Sequence, residues 1–372
     1  MRTSKKIIAA CLSVIMIASV GLTGCSHSST AGASSAAGTA SAAAGNSGAA
    51  STGSAKKQYV IGFSNFGVGN SWRVQMQAEF EAEAKRLQAQ GVISKYYMTN
   101  SNGDIAKQIS DVTDLITKKV DAILITAASP SALSPVCEQA ERQGIKVVSF
   151  DNVVKTDKIT SKVGRDQEDF GKQCAEFLVK ALNGKGNIVV LNGTAGTSNN
   201  ELRWKGGKEV FDKYPDIKIL GNANADWDYA KGKTAMEGFL SAYPNIDGVW
   251  SQGGAMTQAA VDAMVAAHRK LVPMSGEANN GLLKEWKKYS SQGFDCICPS
   301  DPTYFSASAL DTAIDALEGK QVQKQTVLDP PTVTKDNLGK YLREDLPDSF
   351  WNVTKLSESD IQTLFKSSAS SK

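Results

Sequence analysis

Histidine, aromatic side chains and long apolar runs are scarce in this chain, and each shortage narrows what it does. Aromatics make up 7% of the 372 residues and histidine occurs twice. His268 lies in Ala266-Ala267-His268-Arg269-Lys270, where it reads as a solvated cap at a helix end favoured by the dipole. A histidine-based triad or general base is therefore not indicated. A G-x-S-x-G elbow is missing too, because Gly62-Phe63-Ser64-Asn65-Phe66-Gly67 is one residue too long. No phosphate loop is present: Gly171-Lys172 is followed by Gln173, and Gly164 stands at the wrong distance upstream. Gly67-Val68-Gly69-Asn70-Ser71-Trp72 approaches the dinucleotide fingerprint, but Trp72 occupies the place of the third glycine, where a helix must pack closely. The chain is therefore not read as an enzyme, and no cofactor is expected.

Cysteine is sparse beyond residue 25, leaving Cys137, Cys174, Cys296 and Cys298. Cys296 and Cys298 face one way from a strand, but two ligands without a second pair make no metal site, so no metal is expected. All four read as buried small apolar side chains, with a disulfide left open. Basic residues number 41 against 38 acidic, and the excess is Arg2, Lys5 and Lys6 at the amino terminus. Without a basic block, nucleic acid is not an expected partner.

What is present begins with those three cations. They precede an apolar run from Ile7 to Val20 and then Leu22-Thr23-Gly24-Cys25, a small-residue cleavage site ending in cysteine. The run falls short of the roughly 20 residues that span a bilayer, and no later run reaches that length. This segment resembles a bacterial lipoprotein signal. The resemblance implies removal of residues 1–24, acylation of Cys25, and a mature chain tethered to the extracytoplasmic face of the cell membrane. Residues 25–56 are almost wholly Ser, Ala, Gly and Thr, a flexible linker with a root-mean-square span of roughly 30 Å.

From Tyr59 onward, short β-branched runs alternate with helical periodicity, the pattern of an α/β fold with parallel sheets. Strands are expected at Tyr59 to Ser64, Lys95 to Met98, Ala122 to Thr126 and Ile145 to Phe150. A second set follows at Ile188 to Leu191, Ile217 to Leu220, Gly248 to Ser251 and Leu271 to Met274. Met76, Phe80, Ala84 and Leu87 recur at helical spacing, as do Ile105, Ile109, Val112 and Ile116. Asn102-Gly103-Asp104 supplies a turn and an N-cap between them. Val120-Asp121-Ala122-Ile123-Leu124-Ile125 is echoed by Ile246-Asp247-Gly248-Val249-Trp250-Ser251, so two similar lobes are expected. Each would bind ligands at the carboxyl ends of its strands.

Polar groups interleaved with tryptophan stand at those strand ends: Asn70, Trp72 and Arg73, then Asp151 and Asn152, then Arg203, Trp227, Gln252 and Glu277. A sugar offers C–H faces that pack on aromatic planes and hydroxyls that need fixed donors and acceptors. Charged partners make the stronger of those bonds. Each residue also has a plainer role open to it: the tryptophans as core, the carboxylates as caps, the arginines as surface ion-pair partners. Trp250 and Trp286 read as core.

Together with Phe150-Asp151-Asn152, Asn192-Gly193-Thr194-Ala195-Gly196-Thr197-Ser198 and Ala225-Asp226-Trp227-Asp228-Tyr229-Ala230-Lys231-Gly232, the stretch from Tyr59 to about Leu328 resembles the periplasmic sugar-binding proteins of ABC importers, in the ribose- and galactofuranose-binding branch. The resemblance implies a type I binding protein, with two Rossmann-like lobes joined by a three-segment hinge. Residues 57–165 and 301–324 would form the first lobe, 166–300 and 325–345 the second, and 346–372 a tail whose helix is capped by Ser357. It gives Asn70 the role of an amide donor, Trp72 and Trp227 the stacking faces, and Asp151, Asn152, Arg203, Gln252 and Glu277 the hydroxyl contacts. Gly253 and Gly254 stand where ribose binders carry an Asn-Asp pair, and Arg73 replaces an aromatic. Those departures point away from ribose, to a ligand that is larger, more oxidised or differently substituted. The implied partners are a monosaccharide or polyol and an ABC permease, with the protein a monomer. Two other roles share these residues: a sensor presenting ligand to a membrane receptor, and a lipid-anchored carbohydrate-active enzyme using Asp151 and Glu277 as paired carboxylates.

Overall fold

The computed structural model describes residues 57–369; the expected signal, linker and acylated Cys25 lie outside the described residues. The chain builds two sheets of six strands each, on one plan. In the first, β1 (Tyr59–Asn65) pairs with β2 (Ile93–Asn100) and β3 (Ala122–Thr126), followed by β4 (Lys146–Phe150) and β5 (Ser161–Gly164), all parallel. In the second, β6 (Gly186–Asn192) pairs with β7 (Ile217–Asn224) and β8 (Gly248–Ser251), followed by β9 (Met274–Ser275) and β10 (Cys296–Pro299). In both, strand order reverses at the first strand, which makes its carboxyl end the crevice where open α/β sheets take ligands.

Helices cover both faces of each sheet. Those of the first lobe are α1 (Ser71–Ala89), α2 (Ile105–Thr117) and α3 (Ser134–Arg142); those of the second are α4 (Gln167–Ala181), α5 (Ser198–Phe211), α6 (Tyr229–Ala242), α7 (Gly254–Ala266) and α8 (Asn280–Tyr289). Burial on two faces explains the unbroken apolar runs: all five residues of β3 are buried. Met76, Phe80, Ala84 and Leu87 line the buried face of α1 as their spacing predicts, and Asp104 caps α2 by accepting from the Lys107 N–H at 2.9 Å. Trp250 and Trp286 are wholly buried. The four cysteines are buried free thiols, with Cys296 and Cys298 Sγ 3.7 Å apart, and burial pushes Cys137 and Cys174 up to about 12.

Two expectations are corrected. The strand expected over Leu271 to Met274 is β9, Met274–Ser275; Pro273 has no N–H to give a ladder, so pairing starts after it. The strand near Thr326, expected to open the second lobe's 325–345 segment, is β11 (Gln325–Val327), and it pairs parallel with β5 in the first sheet, Thr326 against Val163. Gln325 and Val327 are both exposed, so no apolar pattern tells which sheet the three residues join. Pro330 and Pro331 follow, and the chain regains the second lobe only at β12 (Thr332–Val333), antiparallel to β10. Between them α9 (Phe305–Leu317) sends Phe305, Ala309 and Leu310 into the first lobe's core. The chain thus crosses between lobes after β5, after β10 and before β12. The tail carries α10 (Leu338–Tyr341) and α11 (Glu358–Ala369), and the Ser357 hydroxyl accepts from the Asp360 N–H at 3.2 Å.

Candidate functional site

The reversal of strand order sets Asn65, Thr126 and Asp151 side by side at one end of the first sheet, and Gln252, Glu277 and Asp301 at the corresponding end of the second. Between them lies a small cavity of about 30 Å³, narrowed by the contacts between the lobes.

Asn70 caps α1, its side-chain oxygen accepting from the Arg73 N–H at 3.0 Å, and so starts the helix that carries Trp72 and Arg73. Arg73 runs across the first lobe's strand ends. Its Nη2 donates to Asp151 Oδ2 at 2.8 Å and its plane lies over the Phe66 ring, 3.6 Å from the centroid. Asp151 Oδ2 also accepts from the Thr126 hydroxyl and the Asn152 amide, both at 3.0 Å. In the second lobe Arg203, on the first turns of α5, plays the matching part. It pairs with Asp301 at 2.8 Å and Glu277 at 3.3 Å, donates to the Gln167 side chain and Gln252 carbonyl at 2.8 and 2.6 Å, and lies over Phe170, 3.8 Å from the centroid.

Both arginines and all three carboxylates are at least nine-tenths buried, so their pairing is obligatory. Burial pulls Arg73 below its ordinary value against the pull of Asp151. For Arg203 burial acts the same way, but Asp301, Glu277 and Asp151 outweigh it and hold the guanidinium above its usual range. Burial pushes Glu277 up to about 8 and raises Asp301 as well. Two guanidinium groups, Arg73 and Arg203, thus face three buried carboxyl groups, Asp151, Glu277 and Asp301.

The lobes touch through this ladder. Asn199 at the start of α5 donates Nδ2 to Asp151 Oδ1 at 2.7 Å, and its backbone N–H donates to Asn152 Oδ1 at 3.2 Å. The Ser198 hydroxyl accepts from the Val153 N–H at 3.0 Å. Strain gathers here: Asp151, Asp226 and Trp227 all hold φ near +54°, a region that non-glycine residues rarely adopt. Two glycines make room for the Trp227 ring, since a Cβ on Gly193 would come within 2.1 Å of it and one on Gly253 within 2.7 Å.

The sequence profile described as periplasmic binding protein domain matches residues 61–321. The chain belongs to that family. Among its relatives, the ribose import binding protein of Bacillus subtilis is 29% identical, over 74% of this chain and 87% of its own. A xylitol-binding protein of Mycolicibacterium smegmatis is 31% identical, over 64% of this chain and 68% of its own. A solved structure, the fructose-binding periplasmic domain of a hybrid two-component system, is 28% identical with a TM-score of 0.67, over 76% of this chain and 93% of its own. The relatives are binding proteins, and the two-lobed α/β fold is that of a type I periplasmic binding protein.

In this periplasmic binding protein eight of the nine expected residues line the cavity: Asn70, Trp72, Arg73, Asp151, Asn152, Arg203, Trp227 and Glu277. Gln252 does not. It is wholly buried behind the wall, where its carbonyl holds Arg203 and its amide donates to Asn192 at 2.8 Å, so it positions rather than lines. Asn199, Asp301 and Trp351 complete the lining and were not expected. Asn199 directly follows the Asn192 to Ser198 motif, and Asp301 follows β10 as Asp151 follows β4, a symmetry that could have found it. Trp351 had no such signal, because it comes from the tail. Arg73 and Arg203 are ion-paired as the plainer reading had it, but in the buried wall of the cavity and not at the surface.

Proposed function

We infer that this chain is the extracytoplasmic binding component of an ABC importer, taking a neutral monosaccharide or polyol between its lobes and delivering it to a permease while anchored through Cys25. The observation that carries this reading is the wall itself: indole faces from both lobes beside a ladder of buried, charge-assisted donors and acceptors. A ring with apolar faces and an equator of hydroxyls meets both, whereas a uronic acid would bring a further carboxylate among the buried Asp151, Glu277 and Asp301. The names of the ribose- and xylitol-binding relatives agree with this chemistry. Closure is a population shift: only the closed state lets one ligand contact Asp151 and Glu277 together, so the ligand stabilises that state by its differential contacts. No bond is made or broken.

The test is thermal unfolding of the compact unit from Ala55 onward against neutral pentoses, hexoses and polyols, with uronic acids alongside. A ligand at 100 times its Kd adds roughly 2.7 kcal/mol. A rise with a neutral sugar and none with the matching uronic acid is expected; the reverse order would overturn the charge argument. Loss of labelled palmitate from a Cys25→Ala chain in cells would establish the anchor, and retained label would refute it. A sensor role has one observation in its favour, the fructose-binding domain of a hybrid two-component system. Uptake of the labelled ligand in cells lacking this chain separates the two: lost uptake means delivery, and intact uptake with a lost transcriptional response means sensing.

A further inference from the structure

The family match ends at residue 321, yet the cavity wall includes Trp351. The segment that brings it there is docked on both lobes. From Arg343 to Phe350 its partners are at the start of α8. Asn280, wholly buried, donates Nδ2 to the carbonyls of Arg343, Leu346 and Pro347 at 2.7, 3.1 and 3.1 Å, and its Oδ1 accepts from the Arg343 N–H at 3.0 Å. The backbone N–H groups of Asn280 and Gly281 donate to the carbonyls of Phe350 and Asp348 at 2.9 and 3.1 Å.

From Trp351 onward partners on α1 of the first lobe join in, while Asn352 still donates to the Asn280 side chain at 2.9 Å. Gln75 exchanges two hydrogen bonds with the Trp351 backbone at 2.9 and 3.0 Å. The Ser71 hydroxyl accepts from Trp351 Nε1 at 3.0 Å. Glu79 accepts from the Thr354 hydroxyl and, at 3.1 Å, from the Lys355 N–H. Gln75, Glu79 and Asn280 are all buried, so leaving them unmet would be costly. This strap is therefore a built part of the molecule and a fourth tie between the lobes. Trp351, held by α1 and flanked by residues tied to Asn280, is the one residue of the strap that lines the cavity.

We propose that Trp351 is a ligand contact that sets which sugar fits, and that the strap is a specificity element absent from the family's matched segment; this rests on the sugar-binding reading above. With its Nε1 engaged by Ser71, the indole offers the ligand carbon surface rather than a donor. It therefore favours a C–H face at that wall and disfavours a hydroxyl there, which would be left unpaired.

The experiment is calorimetric titration of the full chain and its Trp351→Phe variant with D-ribose, xylitol, D-fructose and myo-inositol. Trp351→Phe is expected to bind the best wild-type probe roughly tenfold more weakly and to change the order of the four. Phe350→Leu is the control, because Phe350 packs edge-on against Phe365, 5.5 Å between centroids, and does not line the cavity. It is expected to lower Tm and keep the order. Should Trp351→Phe fold poorly, Ser71→Ala reads the same contact by freeing the indole to turn, with weaker binding at near wild-type Tm. Unchanged affinity and order in the Trp351 and Ser71 variants would overturn the proposal, as would Phe350→Leu altering the order equally. If the wild-type chain binds none of these probes and no other neutral sugar, the sugar reading fails and this proposal with it.

Discussion

Asp151 ties the first lobe's side of the site to the second, since Arg73, Thr126, Asn152 and Asn199 all donate to it. Asp151→Ala strands a buried guanidinium, a change that costs about 3–5 kcal/mol. A chemical-denaturation curve should show that loss without ligand. Asp151→Ala with Arg73→Met should recover much of it, and a double variant no more stable than Asp151→Ala would contradict the pairing. Glu277 predicts a pH dependence. Its folded pKa, pushed up to about 8, lies above the ordinary carboxyl value of 4.5, so the folded state binds its proton more tightly. The linked stability is present at low pH and is lost as pH rises between about 5 and 8. Asp301 adds to the same trend. Tm should fall across that window, and Glu277→Gln, which mimics the protonated form, should flatten the fall. Unchanged slopes in that variant would refute it. At this scale the sequence was legible wherever a functional side chain sits beside a strand end with a readable apolar run. Gln252 shows the limit: its position follows β8 as expected, but whether it faces the cavity or braces Arg203 depends on packing that spacing does not encode.

Two helices place Arg203, and glycine sets their distance. A Cβ on Gly171 of α4 would come within 1.9 Å of the Arg203 carbonyl oxygen, and one on Gly206 of α5 within 2.0 Å of the Glu168 carbonyl oxygen. The backbones of α4 and α5 are therefore in direct contact, and either Gly→Ala change must move α5 and its arginine. Gly171→Ala should lower Tm and weaken sugar binding together. Gly238→Ala is the contrast: its Cβ meets nothing within 4 Å inside α6, so the change should stabilise by roughly 0.5–1 kcal/mol and leave affinity unchanged. Equal effects at the two positions would show that helix propensity, not contact, governs Gly171. Element identity was largely readable because β3 and β8 are bounded apolar runs and α1 and α2 keep a helical period. The misplaced and missed elements are short pieces. β11 has three residues and two exposed side chains, and β5 alternates Lys162 with buried neighbours over four residues, too short a pattern to announce itself.

The described residues form two copies of one sheet plan facing each other across a cleft, tied where the chain crosses and braced by the strap. The echo between Val120–Ile125 and Ile246–Ser251 exposed the duplication, and the two-lobed fold followed from it. The strap did not show, because its anchors on Asn280, Gln75 and Glu79 are polar contacts between distant parts of the chain. Closure should be visible in solution: the radius of gyration by small-angle scattering should fall on adding ligand, and an unchanged value would refute hinge closure as the response. The central claim is that the cavity between the lobes binds one neutral sugar or polyol. Titration calorimetry with a panel of such compounds tests it most directly. One of them should bind with one-to-one stoichiometry, and its heat should vanish in Trp72→Ala with the fold intact; no heat from any neutral sugar, or binding that survives loss of Trp72 unchanged, would contradict the account.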